Sequence, residues 1–354
     1  MSVEHLEARW IDAFEKTLRL CAVGRGSEVA ILSESQSRRV LIDLCEHAAA
    51  RLGCQVFHVI VPSAKPAVLI PVRSTGASDA LSGMAAVVRA LAGVTLVLDC
   101  TVEGLLYSKE LAQILEGAHG IQPRVLVISN EHPEILERTV PHGALESVVR
   151  SAMRRLRAAH TMRVRSSAGT DLDVKLDGAR IGGVWGFCEK PGQVSHWPGG
   201  LCLAFPARGT VNGTLVLAPG DVNLTFKRYL RDSIELTIKN DYVTGIDGAG
   251  LDAELMRSYW GAWGDREAYA VSHVGWGLNA NARWDALAFY DKADCNGAEL
   301  RAFAGNFLYS TGANDVAQRH TLGHFDLPMR GCTVSLDGMA VVRDGVVMEE
   351  AEAS

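Results

Sequence analysis

A histidine and an aspartate stand two positions apart in the segment His324-Phe325-Asp326. In a β-strand, residues i and i+2 point to the same face, so this imidazole and this carboxylate can bind one metal ion together. The same spacing occurs in His5-Leu6-Glu7 and in His132-Pro133-Glu134. The first lies in a predicted amphipathic helix, where side chains two apart diverge, and the proline of the second indicates a helix start. The segment at His324 is therefore the best metal-ligand candidate of the three.

A second histidine, His273, lies in Ser272-His273-Val274-Gly275-Trp276-Gly277, where a predicted strand ends in glycines. His273, His324 and Asp326 together would supply two imidazoles and one carboxylate. That set leaves coordination positions open and is typical of non-haem Fe(II) sites that bind both a substrate and O₂. Zinc hydrolases use a similar set, and a core histidine is the alternative interpretation of His273, so the residues alone leave three interpretations open.

The elements that must position these side chains differ between the two halves of the chain. Residues 1–160 alternate between short apolar runs and helix-like segments, a pattern typical of a doubly wound parallel sheet. The predicted strands are Glu28–Leu32, Gln55–Val61, Val94–Asp99 and Arg124–Ser129. The predicted helices are Glu4–Leu20, Gln36–Arg51, Asp79–Leu91, Lys109–Gly117 and Gly143–Ala159. Ligands of such sheets bind beyond the carboxyl ends of the strands, which are expected near Ser33–Ser35, Pro62–Ser63, Asp99–Thr101 and Ser129–Glu131.

Residues 161–354 alternate with the period of two that is typical of antiparallel strands. The predicted strands here are Met162–Ser166, Asp171–Leu176, Gly213–Ala218, Val222–Phe226, Ile234–Lys239, Ala268–Val274, Gly297–Ala304, Cys332–Leu336 and Val341–Val347, with one helix at Leu251–Ala262. The expected fold is therefore an α/β domain with a doubly wound parallel sheet, residues 1–160, followed by an α+β, β-rich metal-binding catalytic domain, residues 161–354.

Composition excludes several classes of function. The 354 residues are 48% hydrophobic, enough to bury the cores of two domains, and the net charge of −6 disfavours a general nucleic-acid binder. No apolar run reaches the roughly 18 residues of a membrane span, and the N-terminus lacks the features of a signal peptide, so a cytoplasmic protein is expected. Eight scattered cysteines without a Cys-x-x-Cys pair indicate reduced core residues. Gly24-Arg25-Gly26 precedes a strand instead of following one, which disfavours a nucleotide cofactor.

Four segments of the second half form a recognisable set: His196–Gly200, Ser272–Gly277, Gly305–Gly312 and His324–Arg330. With them the chain resembles the 2,5-dihydroxypyridine 5,6-dioxygenase family of nicotinate degradation, which is related to the leucyl aminopeptidase-like metallopeptidases. The resemblance implies an aminopeptidase-like fold and a single Fe(II) held by His273, His324 and Asp326. It also implies a homo-oligomer that cleaves a small aromatic ring with O₂ to give an N-formylmaleamate-type product.

The resemblance assigns roles to three further residues. Ser310 matches a serine at or next to the metal, and because a hydroxyl is a poor neutral iron ligand we expect it to orient a ligand. His196 matches a histidine that lies over the substrate and moves protons, with an expected pKa near neutral. Tyr107, in Leu105-Leu106-Tyr107-Ser108, replaces a second substrate-facing histidine of the family. Its hydroxyl can orient a ring substituent, but a pKa of about 10 makes it a poor base.

The roles of two tryptophans and two alternative functions remain open at this point. Trp197 and Trp276 either wall the substrate pocket or belong to the core. An aminopeptidase-like metallohydrolase is the first alternative function, and it needs further bridging carboxylates, for which Glu189 is the nearest candidate. A ligand-binding protein of the doubly wound type, without catalysis or metal, is the second.

Overall fold

The computed structural model describes residues 5–63 and 78–348, so Glu4 of the first predicted helix lies outside the described residues. The helices are α1 (Ala8–Leu20), α2 (Arg39–Arg51), α3 (Ala85–Leu91), α4 (Lys109–Glu116), α5 (Pro133–Arg138), α6 (Gly143–Ala158), α7 (Leu251–Ala262) and α8 (Ala298–Ala302). Short 3₁₀ turns lie at Arg266–Tyr269, Ala286–Ala288 and Lys292–Asp294.

The strands follow one another densely after residue 160. They are β1 (Glu28–Glu34), β2 (Gln55–Val61), β3 (Leu96–Asp99), β4 (Arg124–Ile128), β5 (Thr161–Ser166), β6 (Asp171–Lys175), β7 (Arg180–Val184), β8 (Val194–Trp197), β9 (Leu201–Phe205), β10 (Val211–Leu217), β11 (Val222–Asn223), β12 (Arg228–Tyr229), β13 (Ile234–Lys239), β14 (Tyr242–Asp247), β15 (Val271–Gly277), β16 (Phe307–Thr311), β17 (Phe325–Met329), β18 (Cys332–Leu336), β19 (Met339–Arg343) and β20 (Val346–Val347).

The first sheet is parallel, with strand order β2-β1-β3-β4-β8. Its inner strands β3 and β4 are buried along their whole length, which explains why their sequences are continuous apolar runs. All four predicted strands of this half are present. The fifth strand, β8, comes from beyond residue 160 and pairs with β4. The first sheet therefore includes one strand from beyond the proposed domain boundary at residue 160.

Two antiparallel sheets make up most of the second half. The larger has the order β14-β13-β10-β6-β5-β18-β19-β20, and the smaller has the order β17-β16-β15-β9-β7. The predicted hairpin of β5 and β6 is confirmed, as are β10, β13, β18 and α7. The prediction of a strand over 297–304 is wrong, because this segment contains α8. Gly297 precedes that helix with a φ of +93°, a left-handed conformation that favours glycine.

Helix α6 packs against β7 of the smaller sheet. The contact is close at Gly183, where an added Cβ would lie 2.3 Å from the sulfur of Met153 and 2.7 Å from a methyl carbon of Val149. The absence of a side chain at this position therefore lets the sheet approach the helix. One apolar core runs through α1, α2, the first sheet and both antiparallel sheets, and it includes Trp197 and Trp276. A second apolar cluster packs around Ala30, Leu32, Val97 and Val125 of the parallel sheet.

The cysteines behave as the composition predicts. All eight are free thiols, and seven of them are buried, Cys54 being the partly exposed one. In the part of the chain that the structure describes, none of the helices is both long enough and apolar enough to cross a membrane.

Candidate metal centre

The three predicted metal ligands lie together because neighbouring strands place them in register. In the smaller antiparallel sheet, His273 of β15 is paired with Ser310 of β16, and Ser310 is paired with Asp326 of β17. Residues paired across antiparallel strands point to the same face. His324 directly precedes β17 and joins the same cluster. Sequence positions far apart thus meet in one row.

The donor atoms of this cluster have the spacing of a mononuclear metal site. The Nε2 atoms of His273 and His324 lie 3.8 and 3.2 Å from Oδ1 of Asp326, and one ligand atom from each residue lies within 4.8 Å of the others. Ligands at about 2.1 Å from a metal and at roughly right or tetrahedral angles are separated by about 3.0–3.5 Å. All three side chains are buried. The residues present therefore fit a divalent cation.

The carboxylate of Asp326 is held on both oxygens. Ser310 donates its hydroxyl to Oδ1, and Arg301 donates Nε to Oδ2 at 2.5 Å. Burial alone would raise the pKa of Asp326, but the positive charge of Arg301 and the contact with His324 hold it well below its usual range. Asp326 is therefore ionised, as a metal ligand must be.

Arg301 is the residue of this site that the sequence reasoning missed. It belongs to α8, and its Nη1 also donates to the carbonyl of Asn296 at 3.2 Å. The buried carboxylate of Glu131 accepts the backbone N–H groups of Asn296, Gly297 and Ala298 at 2.7–2.9 Å, which fixes the loop that begins the helix. The sequence pattern predicts a strand over this segment, which gives no reason to expect Arg301 near Asp326.

The contact of Arg301 with Asp326 leads to a prediction. We expect Arg301→Gln to weaken metal binding by about 10- to 100-fold, because the buried carboxylate loses its charged partner and its fixed orientation. Titration of the metal-free protein with Co(II) under anaerobic conditions, followed by the ligand-field absorbance, measures the affinity. Arg283→Gln, at an exposed arginine paired with Asp285, is the control. Equal Co(II) affinity in the Arg301 variant and the wild type would contradict the orienting role.

The imidazole of His273 is oriented from the side opposite the metal position. Its Nδ1 lies 3.2 Å from the hydroxyl of Ser272 and 3.3 Å from that of Tyr107. Ser272 donates its own proton to the carbonyl of Ala313, so its oxygen is left to accept from the ring N–H. These contacts favour the tautomer of His273 that carries its proton on Nδ1, which leaves the lone pair of Nε2 free for a metal. Burial lowers the pKa of His273 to about 3, which keeps the ring neutral.

Tyr107 lies between the parallel sheet and the metal ligands. It is half-buried in the loop between β3 and α4, and its ring centroid is 4.5 Å from that of His324. The buried carboxylate of Asp99 holds this loop by accepting from Thr101 and from the backbone N–H of Leu105. Burial raises the pKa of Tyr107, so its hydroxyl stays protonated.

His196 lies at the end of β8, in register with Val127 of the parallel sheet. Its Nδ1 donates to the carbonyl of Pro198 at 2.7 Å, so the lone pair is on Nε2. The expectation of a nearly neutral pKa is wrong, because burial lowers the pKa of His196 to about 4. The imidazole is uncharged at neutral pH and is able to accept a proton.

A cavity of about 670 Å³ joins these residues. The loops that follow β3, β4 and β16, together with α8, meet strands β7, β8, β9 and β15 around it. Its lining includes Tyr107, Ser129, Arg180, His196, Phe205, His273, Arg301, His324 and Asp326. The expected edge of the parallel sheet is thus only partly right, since Ser129 lines the cavity whereas Ser33–Ser35, Pro62–Ser63 and Asp99–Thr101 do not. Trp197 and Trp276 are core residues and not pocket walls, because both are fully buried outside the lining.

Within the part of the chain that the structure describes, no further carboxylate joins the cluster of His273, His324 and Asp326, as a two-metal hydrolase would need. Glu189, the candidate for that role, is exposed and lies outside the cavity lining. Among residues 5–63 and 78–348, the cluster of His273, His324 and Asp326 is the single group of three or more metal-ligand side chains that converges in this way.

Comparison with known proteins places the chain in a family. A curated relative from Pseudomonas putida KT2440, 2,5-dihydroxypyridine 5,6-dioxygenase, is 36% identical over 350 residues, with 98% of each chain covered. A solved structure of 2,5-dihydroxypyridine dioxygenase from the same organism superposes with a TM-score of 0.91 at 35% identity, covering 99% of this chain and 100% of that one. Wild-type AmpT from Thermus thermophilus, at 16% identity, superposes with a TM-score of 0.60 over 96% of this chain and 99% of its own, which shows a shared fold. The profile of the 2,5-dihydroxypyridine 5,6-dioxygenase family matches residues 9–349, and the chain belongs to that family.

Proposed function

We propose that this protein is a non-haem Fe(II) dioxygenase that opens the ring of 2,5-dihydroxypyridine or a close hydroxylated N-heteroaromatic compound. The observation that carries the proposal is the convergence of two buried imidazoles and one ionised carboxylate at a cavity of about 670 Å³, in a chain of this family. Three protein ligands leave positions for the substrate and O₂. Family membership makes the enzyme a ring-cleaving dioxygenase; the ferrous ion and the substrate ring are the proposed refinements.

His273, His324 and Asp326 are the proposed metal ligands, and Ser310 and Arg301 hold Asp326 in place. When bound, Fe(II) supplies open coordination positions at which the ring and O₂ meet and through which electron density passes from the ring to O₂. Ser310 donates a hydrogen bond to Asp326, which supports orientation of the ligand as its role. Asp326 is the single anion among the three proposed ligands, so a divalent cation held there would keep a net positive charge and would favour the ionised form of a ring hydroxyl.

His196 is the proposed proton carrier. Its uncharged Nε2 is able to take the proton of the ring hydroxyl as the substrate binds, and to return it when the ring opens. The carbonyl of Pro198 accepts from Nδ1 and stabilises the imidazolium while it carries the proton. Tyr107, protonated throughout, donates or accepts a hydrogen bond at a ring substituent and keeps His273 oriented. Both residues line the cavity, so they are placed to contact a ring bound there.

Three features implied by the family resemblance belong to the same proposal. The product is of the N-formylmaleamate type, because oxygen enters at adjacent ring positions 5 and 6 and the bond between them breaks. The chain acts in the cytoplasm as a homo-oligomer. The metal ligands all come from the β-rich segment, residues 161–354, which is the proposed catalytic domain, and the segment 1–160 contributes Tyr107 to the site.

An oxygen-uptake experiment tests the proposal. Protein purified anaerobically and loaded with Fe(II) is expected to consume one O₂ per molecule of 2,5-dihydroxypyridine, with loss of the ring absorbance. The Zn(II)-loaded protein, which cannot exchange electrons, is the control and is expected to be inactive. Release of amino acids from peptides without oxygen uptake would overturn the proposal in favour of a hydrolase.

A further inference from the structure

One row of side chains runs across the sheet that carries the metal ligands. Asp326, Ser310 and His273 occupy successive strands of this row, and at the far edge of the sheet Arg180 of β7 is paired with Phe205 of β9. Strand β9 also pairs with β15, where Ala204, the residue before Phe205, lies opposite Val274. Arg180 therefore lies two strands beyond His273, roughly 10 Å at the usual strand spacing.

Arg180 is held over an aromatic ring beside the metal ligands. Its guanidinium carbon lies 4.2 Å from the ring centre of Phe205, and that ring is 5.3 Å from the imidazole of His273. Stacking on an aromatic face restricts the guanidinium and leaves its N–H edges available for hydrogen bonds. Arg180 is exposed and lines the cavity, so these edges are accessible to a ligand.

Arg180 differs from Arg301, the other arginine of the cavity. Arg301 is engaged by Asp326. By contrast, among the residues that the structure describes, no carboxylate lies within ion-pair distance of the Arg180 guanidinium. The cavity therefore has one neutralised arginine at the metal and one uncompensated arginine near its mouth. An oriented guanidinium without a partner binds a planar anion, and a carboxylate matches its two parallel N–H donors.

We propose that Arg180 is a carboxylate-binding residue that takes the carboxylate of the ring-opened product. The proposal rests on the function proposed above. Addition of both atoms of O₂ across the bond between C5 and C6 breaks that bond, so that C5, which bore the hydroxyl, becomes a carboxylate carbon and C6 becomes a formyl carbon. The substrate ring carries no carboxylate. Arg180 therefore discriminates the product from the substrate and draws the new anion towards the mouth of the cavity.

The test compares probes with and without a carboxylate, and it uses binding instead of turnover. Calorimetry of the anaerobic, Fe(II)-loaded protein measures the affinities of maleamate and of uncharged maleamide, which represent the opened chain. Gentisate and hydroquinone form the matching ring pair. The variants are Arg180→Gln, Arg180→Lys, which keeps the charge but loses the planar fork, and Lys109→Gln, which removes another cation of the cavity lining.

We expect Arg180→Gln to bind maleamate roughly tenfold more weakly and maleamide as well as the wild type does, with an intermediate loss for Arg180→Lys. Lys109→Gln is expected to retain the affinity for maleamate. Unchanged maleamate affinity in Arg180→Gln would mean that the carboxylate binds the metal alone, which overturns the proposal. An equal loss in Lys109→Gln, or a loss confined to gentisate, also overturns it. Because no turnover is measured, these outcomes are independent of the oxygen-uptake result.

Discussion

The Asp326→Ala variant is expected to lose metal binding and ring cleavage together. Asp326 is the one anion of the proposed ligand set, and its removal leaves two neutral imidazoles beside the positive charge of Arg301. We expect Fe(II) affinity to fall by more than about 100-fold, which exceeds the loss that a supporting residue typically causes, and activity to fall by roughly 1000-fold or more. Metal content after anaerobic desalting, measured beside oxygen uptake, checks both losses.

A buried aspartate also contributes to folding, and the control must separate this effect from metal binding. Asp221 is buried as well, and its carboxylate accepts the backbone N–H groups of Ala218 and Arg330, outside the cavity lining. Asp221→Ala is expected to lower the thermal midpoint while each folded molecule still binds one metal ion. An Asp326→Ala protein with full iron content and normal oxygen uptake would eliminate the metal-centre assignment.

The parallel sheet was predictable because its strands are buried on both faces. The runs of β3 and β4 show no alternation, and each is followed by a helical pattern, so the sequence indicates the β-α order directly. The strand β8 was not predictable in this way. It contains Ser195 and His196, two polar residues that are buried at the cavity, and so it lacks the apolar run that identifies a buried strand.

The proposed metal ligands could be identified from residue types and spacing, but the residues that contact them could not. His324 and Asp326 are two apart at the start of one strand, a local pattern that sequence displays. Their meeting with His273 depends on the register between β15, β16 and β17, which is a property of strand pairing over long separations. Arg301 depends on a short helix whose N-terminus is fixed by Glu131, about 170 residues earlier in the chain. The alternating pattern of Gly297–Ala304, which predicts a strand, gives no sign of the contact between Glu131 and this helix.

Replacing His196 with glutamine is expected to slow the reaction without releasing the metal. Glutamine is able to fill the space and to donate to the carbonyl of Pro198, but it cannot accept and return a proton. General acid–base catalysis typically contributes 10²–10⁴-fold, so kcat is expected to fall by about that factor while Co(II) affinity stays unchanged. His142→Gln, at an exposed histidine that caps α6 outside the cavity, is the control and is expected to keep its activity.

The pH dependence supplies a second measurement of the same role. Burial lowers the pKa of His196 to about 4, so the ring is an uncharged base above that pH and loses this capacity as the pH falls through it. A divalent cation bound nearby would lower the pKa further. The acid limb that His196 contributes to kcat/KM is therefore expected near or below pH 4, and not near the 6.5 of an exposed histidine. A wild-type acid limb near pH 6.5 that His196→Gln abolishes would contradict the lowered pKa of His196. A kcat that falls less than about threefold in His196→Gln would contradict its role as proton carrier.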